Sequence, residues 1–315
     1  MKPENIKIVL EQHKLWVYSR GKDGSRADLS GLDLTGEDLS HSDLRYANFC
    51  GAKLNNANFT CANLSYARLS GTHLNNADLR GANLTASELF NANLSGANLS
   101  DTIFIDADLS HSILSGVHLT CDSLHKADLN KADLSGTDLR YVNFSDSNLS
   151  GANLSGCNLR NANLQRANLK YASIANSILS DSNLSGADLS CVNLNSANLR
   201  NADLKNAKLN GSKLIGASLN DAELIGADLS DTDLSRAKLL YTKLNNAFLC
   251  NADLSGADLR CANLSGANLR DADVTLAILR ESDLRCADLT GVNLSEANLT
   301  DAELAGAKMP ANYAN

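Results

Sequence analysis

The chain repeats a five-residue pattern, typified by Ala-Asp-Leu-Ser-Gly and Ala-Asn-Leu-Ser-Gly, without an insertion from residue 27 to residue 309. Between Leu29 and Met309 there are 57 repeats with an apolar residue at the centre, and fifty of these centres are Leu. A small residue, usually Ala, stands two positions before most centres, and the residue between them is mostly Asp or Asn. Any fold must therefore treat every fifth residue alike.

A period of five fits neither a straight helix nor a straight strand. Five residues of α-helix advance by about 500°, which would spread the Leu residues around every face, and an odd period on a strand would send alternate Leu residues to opposite sides. The small residue and the Leu are two apart, so both can face one way on a short strand. The eighteen glycines from Gly31 to Gly306 all lie two residues after a centre, where a turn tolerates unusual φ angles.

Composition narrows the class of protein further. The 315 residues are 43% hydrophobic but only 4% aromatic, and the two prolines, Pro3 and Pro310, stand at the margins of the repeats. Such a core is built from small, uniform side chains, as in repeat proteins. No apolar run approaches the ~20 residues of a membrane span or resembles a secretory signal. We therefore expect a cytoplasmic protein without a membrane partner.

The A(D/N)LXX repeats of residues 27–309 resemble those of the pentapeptide-repeat family. The resemblance implies an all-β fold, a right-handed quadrilateral β-helix with four repeats, or 20 residues, per coil, and hence about 14 coils. The sequence itself favours a 20-residue coil over a 15-residue one. Of nine arginines that directly follow a centre, six share one phase modulo 20.

Three segments are predicted. Residues 1–26 lie outside the repeat frame and form an N-terminal cap, with a helix over PENIKIVLEQH and a short strand over LWVYS. This stretch resembles the lead-in of bacterial members of the family. Residues 27–309 form the β-helix, and residues 310–315 form a C-terminal tail. The tail is shorter than the C-terminal helix through which some family members dimerise, so we expect end-to-end self-association through the last coil.

No cofactor, metal or catalytic site is predicted. The eight cysteines include no pair 20 residues apart and no Cys-x-x-Cys spacing, which is typical of free thiols in a reducing compartment. The irregular window around His118, Cys121 and Asp122 admits two interpretations, a metal corner or a degenerate repeat with Asp122 turned outward. No nucleophile elbow, P-loop or zinc-protease motif occurs, so we expect a protein that is not an enzyme.

Two surface features are candidates for an interaction site. One is exposed apolar residues, above all Ile103 with Ile105, and Leu240 beside Tyr241; Tyr46 and Tyr66, 20 residues apart, are expected to stack at one corner. The other is a column of arginines on a single corner, which is either a basic interaction strip or a solvated face paired with neighbouring acids. The column comprises Arg80, Arg140, Arg160, Arg200, Arg260 and Arg280.

The predicted function is a non-enzymatic scaffold that binds an unknown protein. The resemblance offers an alternative, because some family members mimic DNA and modulate DNA gyrase or topoisomerase. Duplex DNA as long as the predicted coils, roughly 68 Å, carries about 40 charges, whereas residues 27–315 contain 22 basic and 33 acidic residues, a net charge of −11. The negative charge per unit length would be far below that of DNA. From Asn143 to Asn168, six successive repeats have an uncharged Asn just before the centre, which lowers the charge further. Direct nucleic-acid binding is not expected of an acidic chain.

Overall fold

The computed structural model describes residues 3–119 and 123–311. The chain divides into two compact units, Met1–Asn153 (unit 1) and Leu154–Asn315 (unit 2). Unit 1 begins with the helix α1, Pro3–Tyr18, which is followed by turns over residues 19–26. The described residues from 27 to 309 consist, in both units, of stacked five-residue repeats. No helix within the described ranges has the length and apolar character needed to cross a membrane.

The repeats of each unit stack in parallel with a register of 20 residues. In unit 1 the bridges run from Asp28↔Asn48 to Asp133↔Asn153, and in unit 2 from Asn158↔Ile178 to Asp288↔Lys308. Each bridge joins the residue just before a centre to the residue 20 positions later, so one coil contributes four bridge positions. The predicted 20-residue coil is confirmed.

A single repeat shows how the backbone groups are satisfied. The N–H of Asn48 donates to the carbonyl of Ala27 at 2.9 Å, and the N–H of Leu29 donates to the carbonyl of Asn48 at 2.7 Å. A four-residue turn begins at the centre. In residues 44–47 the N–H of Ala47 donates to the carbonyl of Leu44 at 3.0 Å, and Tyr46, the third residue of the turn, has a φ of 67°. This geometry matches a type II turn, which requires a positive φ at that position.

Positive φ is a property of the corners rather than of glycine. We call the residue two positions after each centre the corner residue. Of the described corner residues from Gly31 to Gly306, all but Glu296 have a positive φ, and even Leu276 adopts 57°. The cost of this conformation for a side chain is met by the inter-coil and turn hydrogen bonds on both sides of it.

The core of each unit is the stack of centres and small residues. Ala202 and Leu204, two apart in one repeat, are both fully buried, as the strand spacing predicts. Outside, the Asp or Asn between them accepts a hydrogen bond from the backbone N–H two residues later, as Asp28 does from Ser30 at 3.2 Å. This bond explains the preference for Asp and Asn at the outward position, since their short side chains can close a turn with their own backbone.

The predicted strand over LWVYS is wrong, because α1 continues through it to Tyr18. The buried and half-buried side chains of α1 recur at intervals of three and four residues, which is helical spacing. Leu15 and Tyr18, on the other side, are 51% and 71% exposed. The stripe of α1 that faces the coils is Ile6, Val9, Leu10, His13, Trp16 and Val17.

The helix α1 is joined to the first coil by a few close contacts. Nδ1 of the fully buried His13 accepts a hydrogen bond from the N–H of Ala27 at 3.1 Å. Gly24 packs so closely on α1 that an added Cβ would overlap the carbonyl oxygen of Gln12 and lie 2.9 Å from Cβ of Leu15. The junction of α1 with the first coil therefore depends on individual contacts and not on a repeated set of bonds.

Candidate functional site

All six arginines of the predicted column form ion pairs. Arg80 donates to the Asp two residues before it through Nε and Nη2, with a shortest distance of 2.6 Å to Asp78. Arg140 and Arg260 repeat this arrangement with Asp138 and Asp258. The hydrogen bond from the arginine holds the pKa of each of these carboxyl groups below its ordinary value.

The other three arginines pair differently because no acid stands at the outward position of their repeat. Arg160 and Arg200 follow Asn-Leu, and they reach the corner acids 21 residues ahead, Asp181 at 3.2 Å and Asp221 at 3.8 Å. Arg280 follows Ile278-Leu279 and pairs with Glu281 at 2.6 Å. The column is thus a set of half-exposed arginines, each fixed by a carboxylate.

Ile103 and Ile105 flank the buried centre Phe104 in unit 1. Ile103 is 39% exposed and is bridged to Asn83 and Ser123, so no large apolar side chain lies beside it on those two strands. An interaction site at Ile103 and Ile105 stays a prediction, and the residues bridged to Ile103 add no apolar surface to it.

Unit 2 contains a more developed surface, which we call the Tyr241 groove. It encloses about 270 Å³ at one corner of three successive coils. Tyr241 is 57% exposed and stands on the same corner as Cys261 and Glu281, 20 and 40 residues later. The groove is lined by Leu240, Tyr241, Arg260, Cys261, Arg280 and Glu281.

Cys261 is not an activated nucleophile. Its thiol donates to Glu281 at 3.4 Å, and partial burial together with the Glu281 carboxylate raises the pKa of the thiol. A raised pKa keeps the group protonated at neutral pH, and the thiolate is the reactive form. The groove is therefore suited to binding through its arginine and aromatic side chains, not to thiol chemistry.

The metal interpretation of the irregular window falls partly outside the described residues, since Cys121 and Asp122 lie there. Among the residues that the structure describes, no group of three His, Cys, Asp or Glu side chains is placed to hold a metal ion. The seven cysteines within that part of the chain form no disulfide bond, and Cys157 is buried in the core.

The predicted stack of Tyr46 on Tyr66 is confirmed and belongs to a longer aromatic column in unit 1. The two rings are parallel with centroids 5.1 Å apart. Trp16 of α1 meets Tyr46 edge-on at 6.1 Å, and His13 stacks on Trp16 at 5.9 Å. Half of the column thus comes from α1 and half from the coils.

The sequence contained a signal for one of these surfaces and not for the other. Tyr241, Cys261 and Glu281 are spaced by one coil, so the 20-residue register alone brings them to one corner. The contact of Trp16 with Tyr46 depends on how α1 docks, and no repeat spacing predicts it.

The stacked repeats and the buried centres of each unit define a β-solenoid repeat protein with a filled core. The family model for pentapeptide repeats (8 copies) matches ten segments between residues 25 and 310, several of which overlap. The chain belongs to the pentapeptide-repeat family, and its coils form a right-handed β-helix. Proteins of this family are protein-interaction scaffolds, and no catalytic family is indicated.

The solved structures similar to this chain include pentapeptide-repeat proteins. HetL, a protein of Nostoc sp. strain PCC 7120 involved in heterocyst differentiation regulation, is 31% identical over 76% of this chain and 92% of its own, with a TM-score of 0.44. A protein of the Arabidopsis thaliana thylakoid lumen is 33% identical over 31% and 68%, with a TM-score of 0.31. The plasmid-mediated fluoroquinolone resistance protein QnrB1 is 20% identical over 74% and 86%, with a TM-score of 0.36. The comparison with curated proteins gives no significant match.

Proposed function

We propose that the protein is a non-enzymatic cytoplasmic scaffold of about 14 coils, capped by α1, that binds a protein partner through side chains on the outside of its coils. The observation that carries this proposal is the Tyr241 groove. The core is already filled by the centres, so the exposed side chains of the groove are not needed for folding. Grouped apolar and aromatic side chains at a protein surface mark interaction sites.

The groove has the composition of a binding hot spot. Tyr and Arg are the residue types that carry most binding energy in protein interfaces. Arg260 is held by two hydrogen bonds to Asp258, and Arg280 by Glu281, so less side-chain entropy is lost when a partner binds. Ile278 adds apolar surface beside them, since it is bridged to Asp258 and is 37% exposed.

Affinity capture with matched baits tests this proposal. The baits are the wild-type chain, Tyr241→Ala, and Tyr171→Ala as the control. Tyr171 is also a corner tyrosine of unit 2, with a similar φ and an exposure of 64%. We expect a protein that the wild type and Tyr171→Ala retain and Tyr241→Ala loses, and the same order of affinities with the purified partner. Identical retention by all three baits would remove the groove from the proposal.

The DNA-mimicking modulator of gyrase or topoisomerase stays the alternative, and we do not prefer it. The carboxylates of Asp78, Asp138 and Asp258 each pair with the arginine of their own repeat, so these positions present ion pairs and not the unpaired negative charges of a phosphate backbone. A gyrase supercoiling assay separates the two functions. Supercoiling that an excess of the protein leaves unchanged would reject the mimic and leave the scaffold proposal standing.

A further inference from the structure

A second groove lies in unit 1, between α1 and the first coils, and encloses about 310 Å³. Its apolar wall consists of Trp16, Val17 and the 42% exposed Tyr46. Gly21 forms part of the rim, where a Cβ would lie 3.3 Å from Nε1 of Trp16. Arg20 and Arg45 complete the lining. We call this surface the Trp16 groove.

The side-chain nitrogens that line the Trp16 groove are all hydrogen-bond donors, and those of two of the three residues have no acceptor among the described residues. No described residue accepts a hydrogen bond from Nε1 of Trp16, and none forms an ion pair with Arg20. Arg45 is held in place by Asp43, with Nε at 2.8 Å and Nη2 at 2.7 Å from its two oxygens. A fixed guanidinium, a second guanidinium and an indole N–H therefore line one groove with an apolar wall, and carboxylate is the group that such donors bind best.

The N-terminal segment that supplies Trp16, Val17 and Arg20 to this groove has a net charge opposite to that of the remaining chain. Residues 1–26 contain six basic and three acidic residues, whereas residues 27–315 carry a net charge of −11. Within the described chain, Lys22 and Arg26 have no ion-pair partner either. The charge complement of this region is an acidic partner.

We propose that the Trp16 groove binds an acidic segment of a partner protein, which places an aromatic or aliphatic side chain between Trp16 and Val17 and its carboxylates on Arg20 and Arg45. Single-stranded nucleic acid, which also combines negative charge with flat rings, fits less well. Tyr46 is covered by Tyr66 on one face and met by the edge of Trp16, so it offers no open platform for a base. The inference adds a surface to the proposed scaffold and does not depend on the Tyr241 groove.

Trp16 is the only tryptophan of the chain, so the tryptophan fluorescence reports on the surroundings of this one side chain. The probe is a synthetic peptide of alternating Asp and Glu with one central Phe, titrated into the full-length protein to about 1 mM. Peptides with Ala for Phe, and with Lys for the acids, are the ligand controls, and oligodeoxythymidylate tests the nucleic-acid alternative. We expect saturable change of the Trp16 emission with the Phe peptide and at least about fivefold weaker binding of both control peptides.

Arg20→Ala is the matching protein variant, because Arg20 is exposed and its loss leaves no buried group unpaired. Arg236→Ala is its control: Arg236 is also an exposed arginine, with a φ of 57° against 55° for Arg20, but belongs to unit 2. We expect Arg20→Ala to weaken peptide binding about fivefold and Arg236→Ala to leave it unchanged. No emission change up to about 1 mM peptide, equal losses in both variants, or tighter binding of the oligonucleotide would each overturn the proposal.

Discussion

The helix α1 and the coils are held by contacts of different kinds. A coil is bonded through four bridge positions to the coil before it and the coil after it, and every repeat supplies the same set of bonds. The junction of α1 instead relies on Gly24, His13 and Trp16, none of which has a counterpart elsewhere in the chain. The coils should therefore lose stability by degrees, and the junction should fail as a whole.

The largest effect is expected from the core of a coil. Leu204→Ala removes a fully buried side chain and leaves a cavity, at a cost of about 3 kcal/mol. We expect a clear drop in the urea midpoint followed by far-UV circular dichroism. Leu299→Ala, at a half-buried centre of the same unit, is the control and should cost less. Equal losses would mean that stability is spread evenly over the centres.

A smaller but more local effect is expected from Gly24→Ala. Its Cβ would overlap backbone of α1, which cannot move aside as a flexible side chain can, and φ is +74°. We expect about 2 kcal/mol of lost docking free energy. The emission of Trp16 should shift towards that of an exposed indole while the circular dichroism of the coils stays unchanged. A parallel loss of both signals would show that the coils depend on α1.

The docking of α1 and the stability of the coils should be lost in different pH ranges. Burial holds the pKa of His13 below its ordinary 6.5; Asp43 and the backbone of Arg45 oppose this shift, and the charges of Arg26 and Arg45 reinforce it. Because the undocked state binds the proton more readily, docking weakens as pH falls below 6.5. In the coils, the hydrogen bond from Thr290 lowers the pKa of Asp288 to about 2, from 3.8. This carboxylate stabilises the fold above pH 3.8 and loses its contribution as pH falls towards 2.

Trp16 emission and far-UV circular dichroism, measured together from neutral to acid pH, check this order. We expect the Trp16 signal to change first and the signal of the coils to follow only below pH 3.8. His13→Asn removes the titrating ring and should flatten the first step. Coincident changes of both signals in the wild type would contradict the separation.

The smallest effect compares two corner glycines. A Cβ at Gly96 would lie 2.5 Å from Oδ1 of Asn76, one coil earlier, whereas a Cβ at Gly71 meets nothing within 4 Å. Their φ angles, 69° and 67°, are nearly equal, so the backbone cost of an alanine is shared. We expect Gly96→Ala to cost about 0.5 kcal/mol more than Gly71→Ala in urea unfolding, since Asn76 can rotate away. An equal cost would show that only φ matters.

The coils were predictable because each of their rules recurs dozens of times in the sequence. The positive φ of Leu276 was not, since an isolated Leu resists that conformation and only its position at a corner of the five-residue frame imposes it. The strand over LWVYS failed because five residues are too few to separate alternation from helical spacing. The buried stripe of Ile6 to His13 continues through this segment to Val17, and the five residues alone do not reveal it.

The candidate sites were predictable only in part, for a related reason. The arginine column and its neutralisation by acids follow from spacing, but the reach of Arg160 to Asp181 requires the corner geometry. The Trp16 groove needs the docked position of α1, which depends on the close packing of Gly24 and on no repeated feature.

The 20-residue register also bears on how such a chain can change its length. Removing one pentapeptide, for instance residues 221–225, would leave every repeat intact, because each still offers a small residue and a centre to the core. It would nevertheless carry Arg260 and Arg280 to the next side of unit 2 relative to Arg200, so the three arginines would no longer lie on the same side. Gain or loss of a whole coil preserves both. A change of chain length by five residues therefore preserves the core, whereas only a change by twenty also preserves the alignment of side chains on the outer surface.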